Sequence, residues 1–175
     1  MYMLRELERG DLPEVNRWRR DPAVIGRLTA PYRFINEEVD ERWFDAYMQN
    51  RAHAIRCAVV DEELSDRILG LVSLTNIDWV HRTAYFGIMI GRAENRGRGL
   101  GTFAVGAMLR HAFADMNLNR VELTVLEDNE PARKLYEKAG FVQEGRFREA
   151  VFKDGRYRDL LFMAVLRKEW EALGD

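Results

Sequence analysis

Hydrophobic positions along the chain follow two rhythms, one of period two and one near 3.6, and the switches between them outline the elements. Residues 2–9, "YMLRELER", alternate as a strand does, and Asp11 then caps a helix with Leu12, Val15 and Trp18 on one face. Asp21-Pro22 marks a second helix start; Asn36 with Glu37 and Glu38 marks a third, running to about Asn50. "AIRCAVV", "RILGLVSLTNI" and "RTAYFGIMI" predict three strands in an antiparallel meander. Val105, Met108, Leu109, Ala112, Phe113 and Met116 return to helical spacing, "RVELTVL" predicts a further strand, and a helix over Pro131–Ala139 stops at Gly140. Two last strands flank the tight turn at Asp154-Gly155. No repeat or linker interrupts this order, so residues 1–175 are expected to form a single domain of mixed α/β (α+β) class.

Composition narrows the partners. Lys and Arg number 27 against 29 Asp and Glu, a net charge of −2, so no global field draws the chain to nucleic acid or to an anionic membrane. The longest apolar run, "LLFMAVL", suits a buried strand and is far short of a membrane span. The charged start "MYMLRELERGD" lacks the apolar core of a signal peptide, and a cytoplasmic protein is expected. Cys57 is the only cysteine, excludes an internal disulfide and reads as a small hydrophobe in a strand. His53, His81 and His111 show no metal-ligand spacing, and no metal is expected.

One stretch stands apart. "NRGRGLGT", residues 95–102, sets glycines at alternate positions among arginines and leads into a helix. Such a helix start offers unpaired N–H groups and a positive dipole end to a phosphate, and glycine lets the phosphate approach. A nucleoside triphosphate loop would need a lysine followed by Ser or Thr, and a dinucleotide loop a different glycine spacing. The plainer alternative is a turn that lets the helix pack closely.

Arg96-Gly97-Arg98-Gly99-Leu100-Gly101 resembles the (Gln/Arg)-x-x-Gly-x-(Gly/Ala) pyrophosphate loop of the GNAT superfamily of acetyl-CoA-dependent N-acetyltransferases. "NEPARKLYEKAGFVQEG", from Asn129 to Gly145, resembles a later segment of the same superfamily. The opening "LRELERGDLPEVNRWRRDPAV" and the closing "FKDGRYRDLLFMAVLRKEW" are similar to the branch of ribosomal-protein alanine, spermidine and amino-sugar acetyltransferases. The resemblance implies a mostly antiparallel sheet of about six to seven strands flanked by helices, splayed between the strand ending near Ile90 and the one starting near Arg120. Acetyl-CoA is the implied cosubstrate. Its pantetheine arm would lie along Ile88, Met89 and Ile90, and its pyrophosphate on Arg96, Gly97, Arg98, Gly99, Leu100, Gly101 and Thr102. Asn129 and Arg133 are implied beside the cofactor, with Lys134 adding charge.

For catalysis the resemblance implies Tyr136 as proton donor to the departing thiolate, with Asn129 orienting the cofactor and a water. Tyr136 also fits an apolar helix stripe with Ala132, Leu135 and Ala139, and Asn129 also fits a helix cap. A backbone N–H near Ile90 would hold the oxyanion. Similar proteins often carry a glutamate where this chain has Tyr85, which leaves Asp78, His81, Glu37, Glu38, Asp40 and Glu41 as candidate bases. Residues 21–50 are expected to wall the acceptor side, with Tyr32, Phe34, Trp79 and Tyr85 as binding candidates. Thr29 and Ala30 stand where the spermidine enzymes carry paired glutamates, which moves a polyamine behind other acceptors. A small amine or amino sugar comes first, a protein N-terminus second, and a catalytically silent acetyl-CoA-binding module third. A homodimer is one option for assembly.

Overall fold

The computed structural model describes residues 1–63, 67–91, 93–95 and 97–174. Seven strands make one sheet: β1 (Tyr2–Glu6), β2 (Ile55–Asp61), β3 (Ile68–Asp78), β4 (Thr83–Ile90), β5 (Arg120–Leu126), β6 (Val142–Lys153) and β7 (Arg156–Leu166). Their order across the sheet is β1-β2-β3-β4-β5-β7-β6, and every neighbouring pair is antiparallel except β4 with β5. The helices are α1 (Leu12–Arg19), α2 (Pro22–Ile25), α3 (Glu37–Gln49), α4 (Leu100–Arg110), α5 (Glu130–Lys138) and α6 (Arg167–Ala172).

Period-two alternation gives each central strand two buried faces. Val59, Val72, Leu74 and Phe86 point toward α4, where Leu100, Val105, Met108 and Phe113 complete one core. Ala58, Val60, Leu71 and Met89 point the other way, into a second core with Val15, Trp18, Phe44 and Tyr47 of α1 and α3. The sheet therefore separates two compartments.

It also has a gap between them. Only Thr83, Ala84 and Tyr85 pair with Arg120, Val121 and Glu122. Past Tyr85, β4 runs on to Ile90 and β5 to Leu126 with no pairing between them, which is the splay that the family resemblance implies.

Two elements differ from the sequence reading. The helix carrying Phe113 continues past Arg110 as a wider π turn, His111–Asp115, and the Phe113 carbonyl is taken by the Arg167 guanidinium. The closing stretch, read as strand only, ends in helix α6, whose start is held by Leu166 N–H donating to Glu169 Oε2 at 2.8 Å. Trp170 of α6 packs against Phe113 with ring centroids 5.5 Å apart, so tertiary packing selects this last helix.

Candidate active site

A cleft of about 1140 Å³ passes through the gap between β4 and β5 and opens to both faces of the sheet. Ile88, Ile90, Gly99, Gly101, Ala132 and Leu135 line it on the α4 side; Val24, Arg27, Leu28, Arg56, Ser73 and Tyr85 line it on the α1–α3 side. Among the described residues, no Asp or Glu lines it.

On the α4 side the glycines have separate jobs. Gly97 and Gly99 sit at φ +73° and +80°, backbone that disfavours any side chain, and a Cβ on either would meet nothing within 4 Å. Gly99 is the N-cap of α4, so the first-turn N–H groups lie beside open space with no capping side chain. Gly101 is different: a Cβ there would stand 3.0 Å from Leu135 Cδ2 and 3.5 Å from Ile90 Cδ1, so this glycine lets α4 approach α5 and β4. Thr102 lines the cleft, whereas Leu100 is 1% exposed and belongs to the core. Arg98 is exposed, its carbonyl accepts from Tyr2 Oη at 3.4 Å, and its side chain is not part of the lining. Arg96 lies outside the described residues. Arg133 turns back to the Glu127 carbonyl at 3.2 Å, and the lining cations near α5 are instead Lys134 and Lys138.

Strand β4 aims alternate amides at the gap. Gly91 N–H donates to Leu69 C=O on β3, so by strand alternation the N–H groups of Ile88 and Ile90 face the unpaired edge. Met89, also on the candidate stretch, is 8% exposed and packs into the α1–α3 core.

Tyr136 reaches this gap from α5. Its ring packs edge-on to Phe86 and Phe141, with centroids 6.1 and 5.7 Å away. Burial first, and the nearby Tyr85 second, push its phenol well above the ordinary tyrosine value. It stays protonated throughout the neutral range. Tyr85 pins the point where the strands part: Thr124 N–H donates to its hydroxyl at 3.0 Å, and Thr124 Oγ1 lies 2.5 Å away. Asn129 caps α5 weakly, Oδ1 accepting from Ala132 N–H at 3.4 Å, while its Nδ2 donates to Arg27 C=O at 3.0 Å. It thus ties α5 to the opposite wall of the cleft.

The aromatic candidates fare unevenly. Tyr85 lines the cleft; Tyr32, Phe34 and Trp79 do not. Phe34 is 95% exposed, and Trp79 points back to donate its indole N–H to Ala52 C=O at 2.8 Å. Asp78 and His81 bond each other at 2.8 Å on the exposed β3–β4 turn, and Asp40 is buried against Asn16 and Arg19. None of these carboxylates or imidazoles reaches the lining. Burial pushes the Cys57 thiol up to about 11, so no thiolate forms there at neutral pH.

Sequence reasoning missed two residues. Arg56 is the only charge inside "AIRCAVV", and that interruption of an apolar run was the available signal. Lys153 is 6% exposed and donates from Nζ to Ile25 C=O at 2.8 Å and Ala30 C=O at 2.6 Å, which fastens the wall segment to the end of β6. Its sequence neighbourhood reads as a hairpin end and carries no hint of that contact.

With this geometry in place, comparison with known proteins identifies the class. The family model for the acetyltransferase (GNAT) domain matches residues 2–142, and the chain belongs to that family. It is an acetyl-CoA-dependent N-acetyltransferase. It is 32% identical over 168 residues to a spermidine N(1)-acetyltransferase of Vibrio cholerae, covering 95% of this chain and 94% of that protein. A putative ribosomal N-acetyltransferase of Bacillus subtilis is 36% identical over 104 residues, covering 59% of this chain and 56% of that protein. The crystal structure of the Vibrio cholerae spermidine enzyme with CoA and spermine superposes with a TM-score of 0.89 at 30% identity, covering 97% of this chain and 98% of that one.

Proposed function

We propose that the enzyme transfers acetyl from acetyl-CoA to a small amine or amino sugar by direct attack across the gap between β4 and β5. The observation that carries this is the cleft itself. It joins an open helix start on one face of the sheet to a polar floor on the other, with the Tyr136 ring at the junction. The α4 side fits the cosubstrate, since the first-turn amides after Gly99 are uncovered and the β4 edge offers Ile88 and Ile90 N–H groups to an extended chain.

Bound acetyl-CoA supplies a thioester carbon open to attack by a neutral amine. In this reading Gly97, Gly99 and the amides through Thr102 hold the pyrophosphate, and the Ile90 N–H stabilises negative charge developing on the carbonyl oxygen. Such a donor is typically worth about 10²- to 10³-fold in rate. Tyr136 holds a proton at Oη ready for the leaving sulfur. Asn129 sets the spacing between α5 and the wall. With no carboxylate or imidazole in the described lining, the amine loses its proton to water in the cleft. A polyamine, as acetylated by the Vibrio cholerae relative, would bring further positive charge to a lining that offers no counter-charge among the described residues, and we place it behind a small amine or amino sugar. A coenzyme A thioester is a cytoplasmic metabolite, and we place the enzyme there.

The test is a panel of amino sugars, small amines, spermidine and peptides with N-terminal alanine or serine at equal concentration, followed by thiol release and product mass. Small amines or amino sugars are expected to lead. Peptides in the lead would make the acceptor a protein N-terminus, and acetyl-CoA binding with no thiol release for any amine would leave a silent binding module.

A further inference from the structure

Arg56 occupies an unusual place. It is the second residue of β2, in register with Ser73 on β3, which is in turn in register with Gly87 on β4, and this row forms part of the cleft floor on the α1–α3 side. Its guanidinium carbon lies 4.6 Å from the Trp43 ring centroid and 5.8 Å from that of Tyr47. The Nε atom is buried with no hydrogen-bond partner among the described residues. Burial lowers the affinity of this side chain for its proton, and the Arg19 charge acts in the same direction.

Neighbouring arginines are satisfied differently. Arg5 meets Asp11 at 2.8 Å, Arg51 meets Glu6 at 2.7 Å, and Arg19 meets Asp40. Arg133 and Arg158 also have a buried unpartnered Nε, yet their terminal nitrogens bond the Glu127 carbonyl and Asp128. No carboxylate pairs with Arg56 among the described residues, and none lines the cleft it faces. A half-buried guanidinium without a counter-ion is unfavourable unless a ligand supplies one. Trp43 holds the guanidinium through its ring face, which leaves the N–H edge free for a planar anion. Arg27, exposed on the wall of the same half, adds a second positive charge.

We propose that Arg56 anchors an anionic group of the acceptor, so that the enzyme selects amines bearing a carboxylate or a phosphate over neutral and polycationic ones. This rests on the acetyltransferase reading above and narrows its acceptor. An anion seated on Arg56 also fixes the orientation of the molecule, leaving its amine to reach the gap beside Tyr85 and Tyr136.

Matched acceptors test this without any substitution: glucosamine 6-phosphate against glucosamine, and an L-amino acid against its amide, with spermidine as the polycation. Wild-type protein is expected to favour the anionic member of at least one pair by tenfold or more in kcat/KM, and to use spermidine least. In Arg56→Met that ratio should fall below threefold, in Arg56→Lys it should be partly retained, and acetyl-CoA affinity should stay within twofold in both. Equal or better use of glucosamine, the amide or spermidine by the wild type overturns the proposal, as does an anion preference that survives in Arg56→Met. Thiol release with none of these amines but with the N-terminal peptides overturns the anchor and leaves acetyl transfer standing; thiol release with neither set sinks the acetyltransferase reading itself, and the anchor with it.

Discussion

The two halves of the cleft are built by opposite means. The α4 half is main chain: a run of consecutive residues, Gly97–Thr102, turned by positive φ so that amides face open space, with α5 packed alongside. The α1–α3 half is side chain: Arg56, Ser73 and Tyr85 from three strands, closed by a wall at residues 24–30 that Asn129 and Lys153 hold through its carbonyls. On the proposed assignment, backbone binds what every turnover shares, a pyrophosphate, and depends on conformation more than on side-chain identity. Side chains would then bind what differs between enzymes. The difference teaches that loss of cofactor binding and loss of acceptor binding should be separable by mutation.

Tyr136, at the junction, should give the largest effect. Tyr136→Phe keeps the ring packing against Phe86 and Phe141 and removes the hydroxyl that carries the proton, so kcat is expected to fall roughly 10- to 100-fold with acetyl-CoA affinity nearly unchanged. A wild-type kcat, in an assay where chemistry limits the rate, would reduce Tyr136 to packing. The two halves can then be broken one at a time. Gly99→Val forces a β-branched residue into left-handed backbone and should weaken acetyl-CoA binding about tenfold or more by calorimetry, with acceptor KM little changed. Lys153→Met removes both Nζ bonds, at a cost of about 1 kcal/mol each, while Ile25 C=O keeps Leu28 N–H as a donor and the exposed Ala30 turns to water. Acceptor KM should rise roughly three- to tenfold while acetyl-CoA affinity holds. Equal damage to both substrates in either variant would show one coupled site.

The comparison sharpens further with small effects. Because burial raises the Tyr136 phenol above its ordinary value near 10, its proton is retained up to and beyond that pH. The kcat profile should therefore show no alkaline fall from this group below about pH 10, and a fall near pH 8 would assign the proton to another donor. Smallest of all, Trp79→Ala should change kcat/KM by less than about twofold, since its indole faces Ala52 and not the cleft.

That contrast also explains what was legible in the sequence. The glycine loop and the α5 segment are contiguous motifs whose spacing is their chemistry, so "NRGRGLGT" and "NEPARKLYEKAGF" point to their place directly. The meander and most helix starts followed from alternation and capping residues, and the splay from the resemblance to the acetyltransferase superfamily. The acceptor half has no such contiguity. Arg56, Ser73 and Tyr85 become neighbours only through strand register, and Lys153 meets Ala30 only once the last hairpin has folded over the wall. Trp79 and Phe34 lie outside the cleft lining, because an amphipathic side chain near a site in sequence is free to turn away from it in space. Helix α6 escaped notice for a related reason: six residues carry too little periodicity to announce a helix, and Trp170 packing on Phe113 decides it.

The Lys153 contact has a consequence for how such an enzyme diversifies. The wall is held by a residue 123 to 128 positions away in the chain, on a hairpin whose Arg158 also bonds Asp128, one residue before the α5 cap. On the proposed assignment of the two halves, a lineage that varies Lys153 while keeping the Arg158–Asp128 contact can tilt the mouth of the acceptor half and inherit the cofactor half intact. Change at that one lysine then becomes a source of new substrate preferences, with the acyl donor unchanged.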